Sequence, residues 1–380
     1  MIQVAIIDTL MGEEKDNINN IYHYIVKNDR ICKKKSRFKS RKIINHGQIC
    51  CEIFKSYAIP GKYKLHCIEI FKKKQNTTTV DNLLVSLEWC IENNIDLVCM
   101  SVGSRVYCDC EKLFTVMSKI EELGNIVVAA INNSNTLTFP ASFKYVVGVA
   151  CDKYQNLEPE KFIYLNADVR GINIISSCCF KEVEKKLGIK IEPFNSYATP
   201  YIAARILNLM VEGEKSHAEI LKLLKENASF DLDSERIVEN KDAFKENFII
   251  GICENTHITY ENVKQIIRFL NYRNIYTIGA GQRMSENPYF VSYNNKGNNV
   301  LFQTLNEIAY FLNPQIIIVM LNKEEFYDIN NTHTDDFDIM IYEDKATMVV
   351  KRLSVQKRYK YLQIISKIIN SEEGEEYLSI

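Results

Sequence analysis

An aspartate, a histidine and a serine stand in the order Asp8, His46, Ser196, with Asn132 between the last two. Nucleophilic acyl transfer uses these groups. A hydroxyl attacks, an imidazole takes its proton, a carboxylate holds the imidazole in one tautomer, and an amide donates to the oxyanion. The four need not be close in sequence, provided strand ends and helix starts bring them together. Asp8 follows the apolar run VAII, at the carboxyl end where α/β sites lie. His46-Gly47 opens HGQICCEIF, which is helical in pattern and apolar on one side, and Asn132 follows IVVAA. Ser196 precedes a helical pattern that Pro200 is expected to enter in its first turn. Asp…His…Ser is one of the chain orders in which such triads occur. Taken singly, each residue has a plainer role: Asp8 as a turn or cap residue, His46 as a helix-start residue, Ser196 as an N-cap.

The elements that must position these groups alternate in kind. Strand patterns fall at Val4–Ile7, Lys64–Ile70, Leu97–Ser101, Ile126–Ala130, Tyr145–Ala150 and Ile172–Ser176. Helical patterns fall between them at Asn82–Asn93, where Leu83, Leu84, Leu87 and Ile91 make an apolar stripe, at Cys110–Leu123, and from Ser196 to Glu212. That alternation predicts an α/β domain with a parallel sheet and helices on both faces over residues 1–235. The polar stretch DLDSERIVENKDAFKE reads as a connection. A smaller α/β domain is expected over 245–380, with strands at Phe248–Cys253, Ile275–Ile278 and Gln315–Leu321. Its helices are expected at Glu261–Tyr272, Val300–Leu312 and Tyr359–Ile369, and Phe337–Tyr342 with Ala346–Lys351 would close it as a hairpin.

Five segments over residues 1–210 resemble the subtilisin-like serine peptidases. VAIIDTL resembles the strand ending in Asp-Ser/Thr-Gly, and NHGQICCEIF resembles the His-Gly-Thr helix. LLVSLEWCIENNIDLVCMSVGS resembles the helix and strand ending in Asn-Met-Ser-Leu-Gly. IVVAAINNSNTLTFPASFKYVVGVA resembles the oxyanion-asparagine strand with its Tyr-Pro-Ala turn, and NSYATPYIAARILNLM resembles Gly-Thr-Ser-Met-Ala-Thr-Pro and its helix. The resemblance implies a subtilisin-like fold and peptide-bond hydrolysis. Asp8 would orient the imidazole, His46 would act as general base and Ser196 would be the nucleophile. Asn132 and the Ser196 backbone N–H would bind the oxyanion. Ser101, Val102 and Gly103 would form an edge strand that pairs with an extended peptide substrate.

The sequence departs from the family pattern at Leu10, Gln48 and Ile131. At the nucleophile, Phe194-Asn195 stands for Gly-Thr and Tyr197 for a methionine. A glycine there permits a tight backbone, so Phe194 implies a changed approach to the serine. Two readings therefore stand side by side. One is an intracellular endopeptidase that cuts a specific peptide, such as the leader of a ribosomally synthesised modified peptide. The other is a weak or inactive module that binds peptide and recruits maturation partners. The strand bearing Asp8 leaves no room for a propeptide, which favours selectivity by other means and a recognition role for the second domain.

Bulk properties narrow the setting. The 380 residues are 46% hydrophobic and 25% charged with a net charge of −1, so nucleic acid is not an expected partner. Export signals and membrane-spanning runs are not evident, and a cytoplasmic location is expected. The 12 cysteines include the adjacent pairs Cys50-Cys51 and Cys178-Cys179 and the spaced Cys108 and Cys110, but no CxxC. That set fits a reducing compartment, with neither metal nor other cofactor expected. Homo- or hetero-oligomers remain open. The basic run Lys33–Lys35, Arg37, Lys39, Arg41 and Lys42, with Lys72–Lys74, reads as a solvated loop or a landing site for an acidic peptide. Gly279-Ala280-Gly281 reads as a turn rather than a phosphate loop, Asn322-Lys323 is not expected to read guanine because the chain has no GxxxxGK(S/T) loop, and His333, Asp335, Asp336 and Asp338 read as a polar loop rather than a metal site.

Overall fold

The computed structural model describes residues 1–9, 20–34, 44–71, 77–133, 137–153, 155–165, 171–213, 216–229, 231–232, 243–255, 258–273, 275–282, 289–293, 298–312, 314–344 and 347–352. Leu10, most of the basic run, Lys72–Lys74 and the expected helix at Tyr359–Ile369 lie outside them. The chain divides into two compact units, Met1–Ser234 and Glu235–Ile380.

Unit one is built on a ten-stranded sheet. Its strands are β1 (Ile2–Asp8), β2 (Ile21–Lys27), β3 (Arg30–Lys33), β4 (Tyr63–Glu69), β5 (Leu97–Met100), β6 (Ile126–Ala130), β7 (Val147–Cys151), β8 (Phe162–Leu165), β9 (Ile172–Ser176) and β10 (Asp231–Leu232). They lie in the order β10-β8-β9-β7-β6-β5-β1-β4-β2-β3. Pairing is parallel except for β2 with β3 and β8 with β9. The central strands are apolar on both sides because both faces are covered: β5, β6 and β7 are buried throughout. The helices are α1 (His46–Tyr57), α2 (Val80–Glu92), α3 (Tyr107–Glu122), α4 (Lys181–Leu187), α5 (Asn195–Val211) and α6 (His217–Asn227).

The period of two sorts the core. Val4, Ile6, Leu97, Cys99, Ile126 and Val128 face one cluster together with Ile53 and Phe54 of α1 and Tyr201, Ile202 and Ile206 of α5. The alternate residues Ala5, Ile7, Val98 and Met100 are also buried, on the opposite face. There α2 packs on β1 and β2 and against α3. The buried stripe of α2 is Leu83, Ser86, Leu87 and Cys90, a small rotation from the expected one. Ser86 tolerates burial because its hydroxyl donates to the Asn82 carbonyl at 2.8 Å. Full burial of Leu87 is worth about 2 kcal/mol.

The hairpin of β2 and β3 has no counterpart among the expected strands. IYHYIVK is only half-buried along its length and β3 is nearly all exposed, so neither carries the apolar run of a central strand. One tight approach in β7 sets a prediction. A β-carbon on Gly148 would overlap the Gly171 carbonyl and lie 2.8 Å from that of Ala141, both rigid backbone. Gly148→Ala is expected to lower unfolding stability by about 3 kcal/mol in denaturant titration, with the slope unchanged.

Unit two is a six-stranded sheet of β11 (Phe248–Cys253), β12 (Thr277–Gly281), β13 (Phe290–Ser292), β14 (Ile316–Leu321), β15 (Ile339–Asp344) and β16 (Thr347–Arg352), ordered β13-β12-β14-β11-β15-β16. Only β16 runs antiparallel, against β15. Its helices are α7 (Tyr260–Tyr272), α8 (Asn298–Glu307) and α9 (Lys323–Thr332), and a π-helical turn at Ile308–Leu312 follows α8. Gly279-Ala280-Gly281 is strand rather than turn, since Phe290 packs where a Gly279 side chain would stand. Asn322 caps the start of α9. Its side chain accepts from the Glu325 N–H at 2.9 Å while Glu325 accepts from the Asn322 N–H at 3.1 Å. Among the acidic residues beyond it, Asp336 faces His333 at 3.2 Å and Lys245 at 3.7 Å, whereas Asp338 is buried and accepts from the Ile249 N–H at 2.8 Å.

Candidate active site

The chain leaves β1 toward β2 on one side of the sheet and leaves β5 toward β6 on the other, and β1 and β5 are neighbours. A crevice opens at the carboxyl ends of such strands. Asp8 is the last residue of β1, Ser101 follows β5, and Asn132 lies two residues past β6.

His46 is the first residue of α1. Asn45 caps that helix by accepting from the Gln48 N–H at 3.2 Å. The Thr9 hydroxyl accepts from the Gly47 N–H at 2.8 Å, tying the end of β1 to the start of α1. His46 Nδ1 lies 2.7 Å from Asp8 Oδ1, and His46 Nε2 lies 2.8 Å from Ser196 Oγ. The structure thus brings Asp8, His46 and Ser196 into one hydrogen-bonded line across 188 positions of sequence (196 − 8).

Electrostatics fit that line. Burial pushes the Asp8 carboxyl upward, but the His46 hydrogen bond and charge, the Thr9 N–H and, least, the Cys50 thiol hold it below its ordinary value. Burial alone would lower the His46 pKa; the hydrogen bond and charge of Asp8 raise it above the usual imidazole value. Burial, followed by the charge of Asp8, keeps the Cys50 thiol protonated. Among the described residues, Asp8, His46 and Cys50 form the one group of ligand-type atoms close enough to share an ion, within 4.8 Å of one another. Nδ1 is engaged by Asp8, and burial keeps the thiol protonated, so hydrogen bonding accounts for the closeness of these atoms.

Ser196 lies inside the first turn of α5, which starts at Asn195, so Pro200 stands in the second turn rather than the first. Proline has no N–H to return to the carbonyl four residues back. That carbonyl belongs to Ser196, and side chains satisfy it: the Ser101 hydroxyl donates at 3.1 Å and the Cys50 thiol at 3.6 Å. The Ser196 N–H belongs to the first helical turn, whose amides have no intrahelical acceptor.

Asn195, met in the sequence as a departure, is a brace. Its side chain is 1% exposed. Nδ2 donates to the carbonyls of Ile131 at 3.2 Å and Asn132 at 3.0 Å, while Oδ1 accepts from the Cys151 N–H at 2.8 Å. Its backbone N–H donates to Asn133 Oδ1 at 3.1 Å. The start of the serine helix is thereby fixed to the asparagine loop and to β7. Asn195→Ala strands a buried N–H and two carbonyls and is expected to cost about 3 kcal/mol of stability, read as a lowered melting temperature.

Asn132 donates from Nδ2 to Thr138 Oγ1 at 2.6 Å, and its backbone N–H donates to the same oxygen at 3.1 Å. Ser101, Val102 and Gly103 follow β5 outside its regular pairing, with Gly103 exposed. The next residue, Ser104, forms an antiparallel bridge with Phe139. A β-carbon on Gly103 would stand 2.7 Å from the Phe139 carbonyl and 2.7 Å from Thr138 Cγ2. Sequence reasoning did not single out Thr9, Cys50 or Thr138. Cys50 was accessible to it, since it sits four residues beyond His46 on the same helical face.

A parallel α/β sheet with a buried carboxylate, an imidazole and a helix-borne hydroxyl in one line defines a chain with serine-hydrolase geometry. The solved structures that resemble it are subtilisin-like serine proteases. One is a lanthipeptide protease, 13% identical, with 60% of this chain and 80% of that one covered and a TM-score of 0.42. The epidermin leader peptide processing serine protease from Staphylococcus aureus is 16% identical, over 61% of this chain and 73% of that one, with a TM-score of 0.43. A cold adapted subtilisin-like serine proteinase is 14% identical, over 60% and 84%, with a TM-score of 0.43. No family model matches the sequence, and no curated protein matches it. Among the described residues, no helix is long and apolar enough to cross a membrane.

Proposed function

We propose that this chain is a serine endopeptidase acting on an extended peptide, with Ser196 as nucleophile, His46 as general base and Asp8 as its orienting carboxylate. The carrying observation is the continuous line Asp8 Oδ1–His46 Nδ1 at 2.7 Å and His46 Nε2–Ser196 Oγ at 2.8 Å. In this reading His46 takes the serine proton as Oγ attacks the scissile carbonyl, then returns it to the leaving amine. The Ser196 N–H and Asn132 Nδ2 stabilise the oxyanion. Residues Ser101, Val102 and Gly103 present backbone to the substrate beside the nucleophile. The finer reading is removal of the leader from a ribosomally synthesised modified peptide, with the second unit recognising the precursor.

An active-site-directed serine phosphonate tests the reaction class. Covalent labelling of the folded wild type that disappears in Ser196→Ala and in His46→Ala is the expected result. An unlabelled, folded wild type would overturn it. Such an outcome would favour a peptide-binding module, to which the engagement of Asn132 Nδ2 by Thr138 also lends itself. Incubation with candidate precursor peptides, read by mass, then tests the substrate: one cut at a leader junction is expected, and scattered cleavage would count against leader removal.

A further inference from the structure

The residue after the nucleophile is tyrosine, and its ring lies on the imidazole. The centroids of His46 and Tyr197 are 4.8 Å apart and their planes 27° from parallel. Tyr197 is 8% exposed and held from behind by its place in the first turns of α5, with Phe194 tilted against it at 6.1 Å. Burial, followed by the neighbouring Cys50 and Asp8 side chains, pushes the phenol up to about 12, so Tyr197 stays neutral and does not compete for the serine proton. The groups facing His46 are therefore Asp8 from β1, Cys50 from its own helix, and Ser196 and Tyr197 from α5. Asp8 fixes one edge of the imidazole and Ser196 receives the other. Among the described residues, the ring of Tyr197 is the aromatic group stacked on its face.

We propose that Tyr197 is a positioning residue that holds the His46 ring in the plane of the Asp8–Ser196 line and stabilises its protonated form through the electron-rich face of the phenol. The argument rests on the triad reading given above and adds to it. An imidazolium forms as the serine gives up its proton, and an aromatic face attracts a cation within about 6 Å of its centroid. The stack therefore favours the state in which charge has developed more than the resting one, which is where an interaction accelerates the chemical step. A methionine at this place would fill space without that field.

The test compares Tyr197→Phe, which keeps the face, with Tyr197→Met, which does not. Titration of the His46 ring by NMR, in a Ser196→Ala background, reads the effect without any turnover. Tyr197→Met is expected to lower the His46 pKa by about half to one unit, and Tyr197→Phe to leave it within about 0.2. With active protein, Tyr197→Met should lower kcat about tenfold with KM little changed, and the acid limb of the pH profile should move down with the titration. Fluorinated phenylalanines at 197 keep the packing while draining the ring face. A stepwise fall in the His46 pKa along that series is expected even if the methionine variant folds poorly. An unchanged titration along the series, or an equal loss in Tyr197→Phe and Tyr197→Met, would overturn the proposal. A titration that shifts as expected in a chain with no peptide hydrolysis would leave Tyr197's role intact and sink the endopeptidase reading instead.

Discussion

Alanine in place of Ser196 is expected to reduce peptide hydrolysis by about a million-fold in kcat, to a residual rate set by binding and the oxyanion donors. His46→Ala should fall to nearly the same level, and the double variant scarcely lower. In the proposed reading Ser196 and His46 exchange one proton, so losing either ends the transfer. Ser196→Ala removes only a hydroxyl at a helix start, whereas His46→Ala also removes the ring stacked on Tyr197 and the partner of the buried Asp8 carboxylate. The melting temperature should stay within a few degrees of wild type for Ser196→Ala and fall further for His46→Ala. Hydrolysis that survives Ser196→Ala at more than a hundredth of the wild-type rate would require another nucleophile.

Asp8→Asn carries the second large effect, a loss of about ten-thousand-fold in kcat. The amide can occupy the same space, yet it can donate toward His46 Nδ1 and so favour the tautomer that leaves no lone pair on Nε2 for the serine proton. The pH profile supplies a second reading. His46 works as a base only when neutral, and Asp8 raises its pKa. In wild type the acid limb should therefore lie above the ordinary imidazole value of about 6.5. With the carboxylate gone, burial is left to act and the limb should move below it. A limb that stays in place in Asp8→Asn would separate the buried carboxylate from the titration.

The central sheet was legible because its strands are apolar on both faces and short, with helices of clear period between them. Asp8, His46, Asn132 and Ser196 could be picked out because each follows a strand or opens a helix. The meeting of Asp8, His46 and Ser196 could not be read from spacing, since spacing in sequence says nothing of a distance set by strand order. β2 and β3 escaped because an edge hairpin carries tyrosine, histidine and lysine where a central strand carries valine and isoleucine. α9 has no counterpart among the expected helices because it is polar, although Asn322 with Glu325 three residues on was a start signal in plain view. Asn195 and Tyr197 were visible only as departures from a pattern. Their work depends on partners 44 to 64 residues away in one case and on ring geometry in the other.

α5 covers β5, β6 and β7 and leans on α1, and the same helix carries Ser196. A ribosome makes it after every strand it covers. Until it docks, the sheet has an open apolar face and the imidazole has no alcohol to act on. Structural maturity and assembly of the Asp8–His46–Ser196 line are thus acquired in one event, late in the synthesis of the unit. A nascent or truncated chain ending before residue 195 would be sticky and would lack the hydroxyl that faces His46.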